Sequence, residues 1–529
     1  MQLQNELKAI TLVIFGITGD LARRKLLPAL YHLAKYDLLP TQYKIVGVSR
    51  RKISTADLLA AISENVKLAT GKPADTDVLK KLGKNLALVQ MDLTRGEDYK
   101  FLRQKLDAVE AAAGVCMTRL FYMAVPFQTL PQIVAHLGES GLQRGCNHDA
   151  KAENRLLVEK PFGDNLESAE ALVHSIGQYF AESQLYRIDH YLAKETAQNM
   201  LTFRFQNPLF KAVWDRAHIK SVLITAAETI DIEGRATFYE QTGALRDFIQ
   251  NHLLQLLALT AMDEPKSMSA ADIHHEKLKL LEAVTPIAPN EVAGKTVRGQ
   301  YAGYRTEVGN ADSHTETYAA VQLAIDNDRF RGVPVLLRTG KALAEKVAEI
   351  TIIFAEQTDR ASETEPATHT SETAARQGAQ AAGETTPKNN AGHLPGHASP
   401  EANTLTIRIQ PNEGIVLGLR AKKPGFRQGT EHVQMEFCYN RAFAGEHASP
   451  DAYERVLVDA FRGDKTLFAT GAEVLASWRI IENVINEWAK NGDDLHIYPK
   501  DSWGPAAAEE LAKRAGVTWM TDILNICPS

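Results

Sequence analysis

The stretch TLVIFGITGDLARRKLLPALYHLAKY, residues 11–36, joins a short apolar run to an amphipathic helical pattern through a turn that contains two glycines. The apolar run has the length of a buried strand, and the residues after the turn repeat apolar positions at helical spacing. Similar runs follow in the first third of the chain: YKIVGV (43–48), LALVQMDL (86–93), RLFYMAV (119–125) and RLLVEKP (155–161). Strands that alternate with helices predict an α/β fold with a doubly wound parallel sheet of the Rossmann type.

Beyond about residue 190 the pattern changes to strands that often alternate apolar and polar positions. They are KSVLITAAE (220–228), YAAVQLAI (318–325), VPVLLRT (333–339), VAEITIIF (347–354) and TLTIRIQ (404–410). Such strands are typical of a large, mainly antiparallel sheet with one covered face. Helical patterns at 243–259 and 477–490 accompany them, which indicates an α+β domain. We therefore predict a Rossmann-type domain over 1–190 and an α+β domain over 191–529.

Residues 356–401 interrupt the second domain with a segment that has almost no large apolar side chains. Such a composition cannot bury enough surface to offset the entropy of ordering, so we predict a disordered surface loop. The apolar runs on its two sides should be neighbouring strands.

The overall composition bounds the class of protein. The hydrophobic share is 44%, and the net charge is −6, which does not favour a nucleic acid or an anionic membrane as partner. No stretch approaches the ~20 apolar residues that span a bilayer. The four cysteines show neither disulfide-framework nor metal-ligand spacing, so we expect no metal site, no disulfide framework and a location in the reducing cytoplasm.

The glycine turn predicts a dinucleotide site. Small residues at Gly16, Gly19 and Ala22 permit a tight turn, close approach of a pyrophosphate and close packing of helix on sheet. The second strand is followed by Ser49-Arg50-Arg51, where an enzyme that uses NAD would carry an acid. Arginine suits the 2′-phosphate of NADP instead. The alternatives are a tight turn without a ligand and a solvated basic loop.

Longer motifs resemble the glucose-6-phosphate dehydrogenase family. The matching segments are GITGDLARRKLLPALYHL (16–33), VEKPFG (158–163), YRIDHYLAKE (186–195), ETIDIEGRATFYEQTGALRDFIQNHLLQ (228–255), LRTGKALAEK (337–346), IRIQPNEGI (407–415), DAYERVLVDAFRGDKTLF (451–468) and SWGP (502–505). They follow one another along nearly the whole chain. Two departures are Ala193, where the family usually has glycine, and Thr18, where it often has serine.

The resemblance implies an enzyme that oxidises glucose 6-phosphate at C1 with NADP. It assigns His252 as the general base and Asp189 as its carboxylate partner, a pairing that a neutral imidazole suits. The implied cofactor residues are Gly16, Ile17, Thr18, Gly19, Asp20, Leu21, Ala22, Arg23, Arg50, Asp92, Leu93 and Lys160. The implied substrate residues are Lys160, His190, Tyr191, Lys194, Glu228, Asp247, Lys341 and Lys346. Asp247 and His252 need not share a helix face if the helix begins between them.

Blander interpretations compete with these roles. A lone histidine on an apolar helix is often a buried core residue, and residues 189–195 could form a solvated face of mixed charge. Two other functions are a dehydrogenase of free sugars, which would not need the His190 and Lys194 pair, and a catalytically silent relative acting in assembly or regulation. The resemblance also implies a homodimer or homotetramer formed through the sheet of the second domain.

Overall fold

The computed structural model describes residues 7–145, 154–356, 402–426, 429–443, 450–490, 492 and 494–520. The predicted loop at 356–401 lies, beyond Glu356, outside the described residues.

The first sheet is built from the apolar runs of the first third of the chain. Its parallel strands are β1 (Ile10–Phe15), β2 (Tyr43–Ser49), β3 (Leu86–Gln90), β4 (Thr118–Met123), β5 (Arg155–Val158) and β6 (Leu185–Ile188). The spatial order is β3-β2-β1-β4-β5-β6, which reverses at β1. A crevice at such a reversal, outside the carboxyl ends of the strands, is where dinucleotides bind in this class of sheet. The predicted doubly wound fold is confirmed.

The second sheet is large and mixed, and most of its strand pairs are antiparallel. Its strands are β7 (Ile219–Ala227), β8 (Val284–Thr285), β9 (Thr296–Tyr301), β10 (Tyr318–Ile325), β11 (Val335–Gly340), β12 (Val347–Phe354), β13 (Thr404–Gln410), β14 (Gly414–Lys422), β15 (Thr430–Cys438) and β17 (Leu495–Tyr498). Strand β7 pairs in parallel with β11, so both strands end at the same edge. The short β16 (Phe468–Ala469) instead pairs antiparallel with β6 and closes the first sheet.

Helices cover both sheets. The α-helices are Leu27–Lys35, Thr55–Thr70, Thr76–Asn85, Tyr99–Ala113, Leu130–Glu139, Leu166–Gly177, Glu195–Gln206, Pro208–Lys211, Ala236–Ala244, Leu254–Ala261, Ala270–Ala283, Val292–Lys295, Tyr304–Val308, Tyr439–Ala442, Ala452–Arg462, Gly471–Lys490 and Ala506–Arg514. Two π-helices, Ala22–Leu26 and Leu245–Leu253, and four 3₁₀ turns, Gly96–Asp98, Phe127–Thr129, Glu182–Gln184 and Pro289–Glu291, complete the set. No helix in the described part of the chain is long and apolar enough to cross a membrane.

One buried apolar cluster extends through both sheets. It includes Val13 and Phe121 of the first sheet and Ile224 and Leu337 of the second. Because close-packed interiors transmit displacement rather than absorb it, this cluster fixes the two sheets relative to each other. The boundary near residue 190 stays a prediction.

The strands on either side of the low-complexity segment are adjacent. Ile353 of β12 lies opposite Thr404 of β13, and the Phe354 N–H donates to the Asn403 carbonyl at 3.0 Å. The expectation that these strands are neighbours is therefore confirmed.

The expectation about cysteines was wrong. Cys116 and Cys438 are each disulfide-bonded, and no described cysteine is free. Cys116 precedes β4 and Cys438 ends β15, so the bonding follows from tertiary structure rather than from a spacing pattern in the sequence. The cysteine distribution therefore no longer supports a reducing compartment, and a cytoplasmic location stays a prediction.

Candidate active site

The glycine turn forms a cradle at the end of β1. Gly16 has φ = +78°, and a Cβ atom there would lie 2.4 Å from the Ala124 carbonyl oxygen, so only glycine fits. The Gly19 N–H closes the turn by donating to the Gly16 carbonyl at 2.8 Å. Ala22 is buried where the first helical turn begins. The turn therefore has the shape that a dinucleotide pyrophosphate requires.

The other predicted residues of this turn differ in exposure. Ile17 is buried, Thr18 and Leu21 are half-buried, and Asp20 and Arg23 are exposed. The Thr18 hydroxyl lies 3.5 Å from the Ser49 hydroxyl at the end of β2, so the turn contacts the strand that precedes Arg50.

Arg50 and Asp92 lie at the same edge of the sheet. Arg50 is exposed, and its carbonyl accepts a hydrogen bond from the Gln90 amide. Asp92 accepts hydrogen bonds from the Thr94 N–H and hydroxyl, and these, together with the charge of Arg50, lower the pKa of its carboxyl. Strand β3 ends at Gln90, so Asp92 and the half-buried Leu93 lie just beyond the strand rather than in it, as the sequence pattern had suggested.

His252 and Asp189 form a buried pair between the two sheets. Asp189 directly follows β6, and its Oδ1 lies 2.6 Å from Nδ1 of His252. The Tyr191 N–H also donates to Oδ1, at 2.9 Å. Burial alone would raise the pKa of the Asp189 carboxyl, but the attraction and hydrogen bond of His252 outweigh it and hold this pKa well below its usual range. Burial lowers the pKa of the His252 imidazole, and the charge of Asp189 offsets only part of that effect.

The helix that carries His252 has an unusual geometry with a local cause. Gly243 (φ = +67°) breaks the preceding helix, and a Cβ atom there would lie 2.3 Å from Oε1 of Glu316. That buried carboxylate accepts from the Leu245 N–H at 3.0 Å. The π-helix Leu245–Leu253 begins at this point. In a π-helix residues five apart are neighbours, so Asp247 and His252 lie on the same side. The helix thus begins before both residues and not between them.

Two lysine–carboxylate pairs lie beside His252. The Lys160 ammonium donates to the carboxylate of Asp247 at 3.0 Å and to its carbonyl at 2.8 Å. Lys341 lies 2.5 Å from the carboxylate of Glu228. Because β7 and β11 are parallel, Glu228 and Lys341 leave the sheet at the same edge. Burial would raise the pKa of Asp247, but the charges of Lys160 and Lys341 lower it, which places both pairs in one electrostatic cluster.

The segment after Asp189 surrounds the imidazole of His252 with rings. Tyr191 stacks on it with centroids 4.5 Å apart, and His190 meets it edge-on at 4.6 Å. Burial and the charges of His252 and Lys160, with a smaller effect of Lys194, lower the pKa of His190. Residues 190–194 form turns, and the α-helix begins only at Glu195.

Two residues depart from the predicted set. Lys346 is exposed, and among the described residues no contact joins it to this cluster. Conversely, the Gln410 amide donates to the Tyr191 hydroxyl at 3.2 Å, although the sequence analysis assigned it no role. Its only signal was its place in the motif IRIQPNEGI.

Comparisons with known proteins agree with this geometry. The model of the glucose-6-phosphate dehydrogenase NAD binding domain matches residues 13–199, and that of the C-terminal domain matches residues 201–376 and 385–520. Glucose-6-phosphate 1-dehydrogenase 2 of Mycobacterium tuberculosis (strain ATCC 25618 / H37Rv) is 37% identical over 523 residues, which cover 96% of this chain and 94% of the relative. Glucose-6-phosphate 1-dehydrogenase of Rhizobium meliloti (strain 1021) is 37% identical, with 96% of each chain covered.

Two solved structures share the fold over almost the full length. The crystal structure of glucose-6-phosphate 1-dehydrogenase from Mycobacterium avium has a TM-score of 0.79 and 33% identity, and covers 98% of this chain and 100% of its own. A glucose-6-phosphate dehydrogenase in complex with glucose 6-phosphate has a TM-score of 0.82 and 30% identity, with 97% and 99% coverage. The chain belongs to the glucose-6-phosphate dehydrogenase family.

Proposed function

We propose that the protein oxidises glucose 6-phosphate at C1 to 6-phosphoglucono-1,5-lactone, with NADP as the hydride acceptor, as the entry step of the oxidative pentose phosphate pathway. The observation that carries this proposal is the buried His252–Asp189 pair beside the glycine cradle. The names of the full-length relatives supply the substrate.

His252 is proposed as the general base. A carboxylate only accepts hydrogen bonds, so Nδ1 carries the proton that His252 donates to Asp189, and Nε2 keeps its lone pair. Nε2 is buried and has no hydrogen-bond partner in the described part of the chain. It can therefore take the proton of the C1 hydroxyl as the carbonyl of the lactone forms. Asp189 fixes the tautomer and stabilises the imidazolium that results.

The carboxylates and cations around His252 suit the rest of the substrate. We assign the acids of the two lysine pairs, Asp247 and Glu228, as acceptors for sugar hydroxyls, with Lys160 and Lys341 as donors. His190, Tyr191 and Lys194 are assigned to the phosphate, because a dianion needs charged or N–H and O–H donors. His190 donates an N–H to phosphate even as a neutral ring.

The cradle and Arg50 are assigned to the dinucleotide. The Gly16–Ala124 approach fits a pyrophosphate, and Arg50 provides a guanidinium where the 2′-phosphate of NADP would need one. When bound, the nicotinamide accepts the hydride that leaves C1. The protein's own residues hold the two partners and remove the proton.

The runner-up, a catalytically silent relative, is disfavoured by the same residues. A protein kept only for assembly or regulation has no need of an aligned base, and here the imidazole and its carboxylate are aligned at 2.6 Å.

A homodimer or larger homo-oligomer is also proposed, formed through the edge of the second sheet. On the edge strand β15, Val433, Met435 and Phe437 alternate and are 40%, 62% and 37% exposed. Alternate residues share one face of a strand, so these three form an apolar stripe. A stripe of this kind on an unpaired edge favours contact with a second copy.

Replacing the base tests the catalytic role. His252→Asn should lower kcat by about 10²–10⁴-fold with little change in KM, because proton acceptance is lost and binding is kept. Activity of the parent should fall with decreasing pH only below the usual range of histidine, since the pKa of His252 is lowered, and the variant should lack this acidic limb. Asp189→Asn should also reduce kcat. Near-normal turnover of His252→Asn at neutral pH would remove His252 from this role.

The phosphate assignment can be tested through substrate selectivity. Lys194→Ala should raise KM for glucose 6-phosphate much more than KM for glucose, because its charge is assigned only to the phosphate. Lys220→Ala is the matched control, since Lys220 is an exposed lysine at the opposite end of β7 from Glu228. Equal effects of Lys194→Ala on both sugars would contradict the assignment and favour a dehydrogenase of free sugars.

Cofactor preference should depend on Arg50. Arg50→Ala should weaken binding of NADP by about one to two decades and leave NAD nearly unchanged, because a charged hydrogen bond contributes about 1.5–3 kcal/mol. Arg51→Ala serves as the neighbouring control. Dissociation constants from fluorescence titration provide the measurement. Parallel loss for both cofactors would mean that Arg50 does not bind the 2′-phosphate.

The apolar stripe should control assembly. Met435→Glu should lower the mass measured by light scattering, because it places a charge in the stripe. Gln434→Glu puts the same charge on the opposite face of β15 and should leave the mass unchanged. An unchanged mass for both variants would move the interface elsewhere.

A further inference from the structure

A small closed cavity lies behind the His252–Asp189 pair. About 10 Å³ of it is open to a water-sized sphere. Asp189, His252, Gln255 and Ser477 line it together with apolar side chains such as Val474. The phosphate residues His190, Tyr191 and Lys194 do not line it, and neither do Glu228, Asp247 or Lys341. The cavity is thus on the far side of the pair from the proposed substrate groups.

Three polar atoms of the cavity wall have no direct partner. Asp189 Oδ2, Gln255 Oε1 and Ser477 Oγ are buried and make no hydrogen bond within the ranges that the structure describes. Their side chains belong to residues that are 3%, 3% and 1% exposed. Asp189 Oδ1 already serves His252 and the Tyr191 N–H, so it does not satisfy Oδ2. Buried polar atoms of this kind are regularly satisfied by an internal water.

The size and the donor count fit one water molecule. A cavity needs roughly 10–15 Å³ open to such a sphere, and a buried water makes about three hydrogen bonds. Here two acceptors, Asp189 Oδ2 and Gln255 Oε1, match the two hydrogens of a water. One donor, the Ser477 hydroxyl, matches a lone pair on its oxygen.

We propose that one ordered water in this cavity joins Asp189 to Gln255 and Ser477, which makes Gln255 and Ser477 positioning residues for the catalytic pair. The inference rests on the proposed roles of His252 and Asp189. Ser477 lies on the helix Gly471–Lys490 and Gln255 on the helix Leu254–Ala261, so the water links these two helices to the end of β6.

The expected consequence is on proton acceptance and not on substrate binding. A hydrogen bond to Oδ2 stabilises the carboxylate and weakens its pull on the imidazole proton, because bonds to the charged form favour it. Loss of that bond should raise the pKa of His252. The charged and titratable groups that act on the pair are Lys160, Asp247, His190 and Glu159, and the substitution leaves all of them in place.

Ser477→Ala tests the proposal. We expect kcat to fall on the order of tenfold, as when other second-shell orienting partners are lost. KM for glucose 6-phosphate should stay the same, and the acidic limb of kcat/KM should move to higher pH. Ser477→Thr, which restores a hydroxyl, should recover much of the loss. Ser221→Ala is the matched control, because Ser221 Oγ is also buried without a partner in the described chain but lies in β7 outside the cavity.

A crystal structure of the unmodified protein supplies a readout that does not depend on activity. Water density within hydrogen-bond distance of Asp189 Oδ2 supports the proposal, and a dry cavity overturns it, even if Ser477→Ala does not fold. Identical kcat and pH profiles for Ser477→Ala and Ser221→Ala would also overturn it. If His252→Asn is inactive in the same assays, only this inference fails, whereas an active His252→Asn removes the proposed base itself.

Discussion

The 2.6 Å hydrogen bond between Asp189 and His252 is the contact on which the rest of the site depends. Asp189 leaves the last parallel strand of the first sheet, and His252 lies on a helix that packs on the second. A bond of this length tolerates little relative movement of its two partners. The shared apolar cluster that extends through both sheets provides that rigidity. The catalytic pair is therefore a property of the packing between the two parts of the chain.

Burial is used twice around this pair, with opposite results. Removal from water lowers the pKa of His252, which keeps the imidazole neutral and able to accept a proton. The same burial would protonate Asp189 if it were alone, but the adjacent imidazole keeps it ionised. Each group thus holds its partner in the required state. The π-helix then brings Asp247 to the same side as His252, where Lys160 joins it.

Much of this could be predicted from the sequence because the signals were local. The strand and helix runs were visible in their periodicity, and the glycine turn indicated both a fold and a ligand. The residues that tertiary structure brings together were not visible in the same way. The spacing of Asp247 and His252 did not reveal a π-helix, because its cause is a distant carboxylate, Glu316, beside Gly243. Cys116 and Cys438 gave no spacing signal, and their bonding was missed. Gln410 and Ser477 are separated from the catalytic pair by more than a hundred residues, and only the fold brings them near it.

The central claim is that the chain oxidises glucose 6-phosphate. The most direct test is the initial rate of formation of reduced nicotinamide, followed by absorbance, with glucose 6-phosphate, glucose or 6-phosphogluconate as the sole substrate and NADP or NAD as the cofactor. The account predicts the highest kcat/KM for glucose 6-phosphate with NADP and much lower values for both other substrates. No reduction with glucose 6-phosphate under either cofactor, or an equal kcat/KM for glucose, would contradict it.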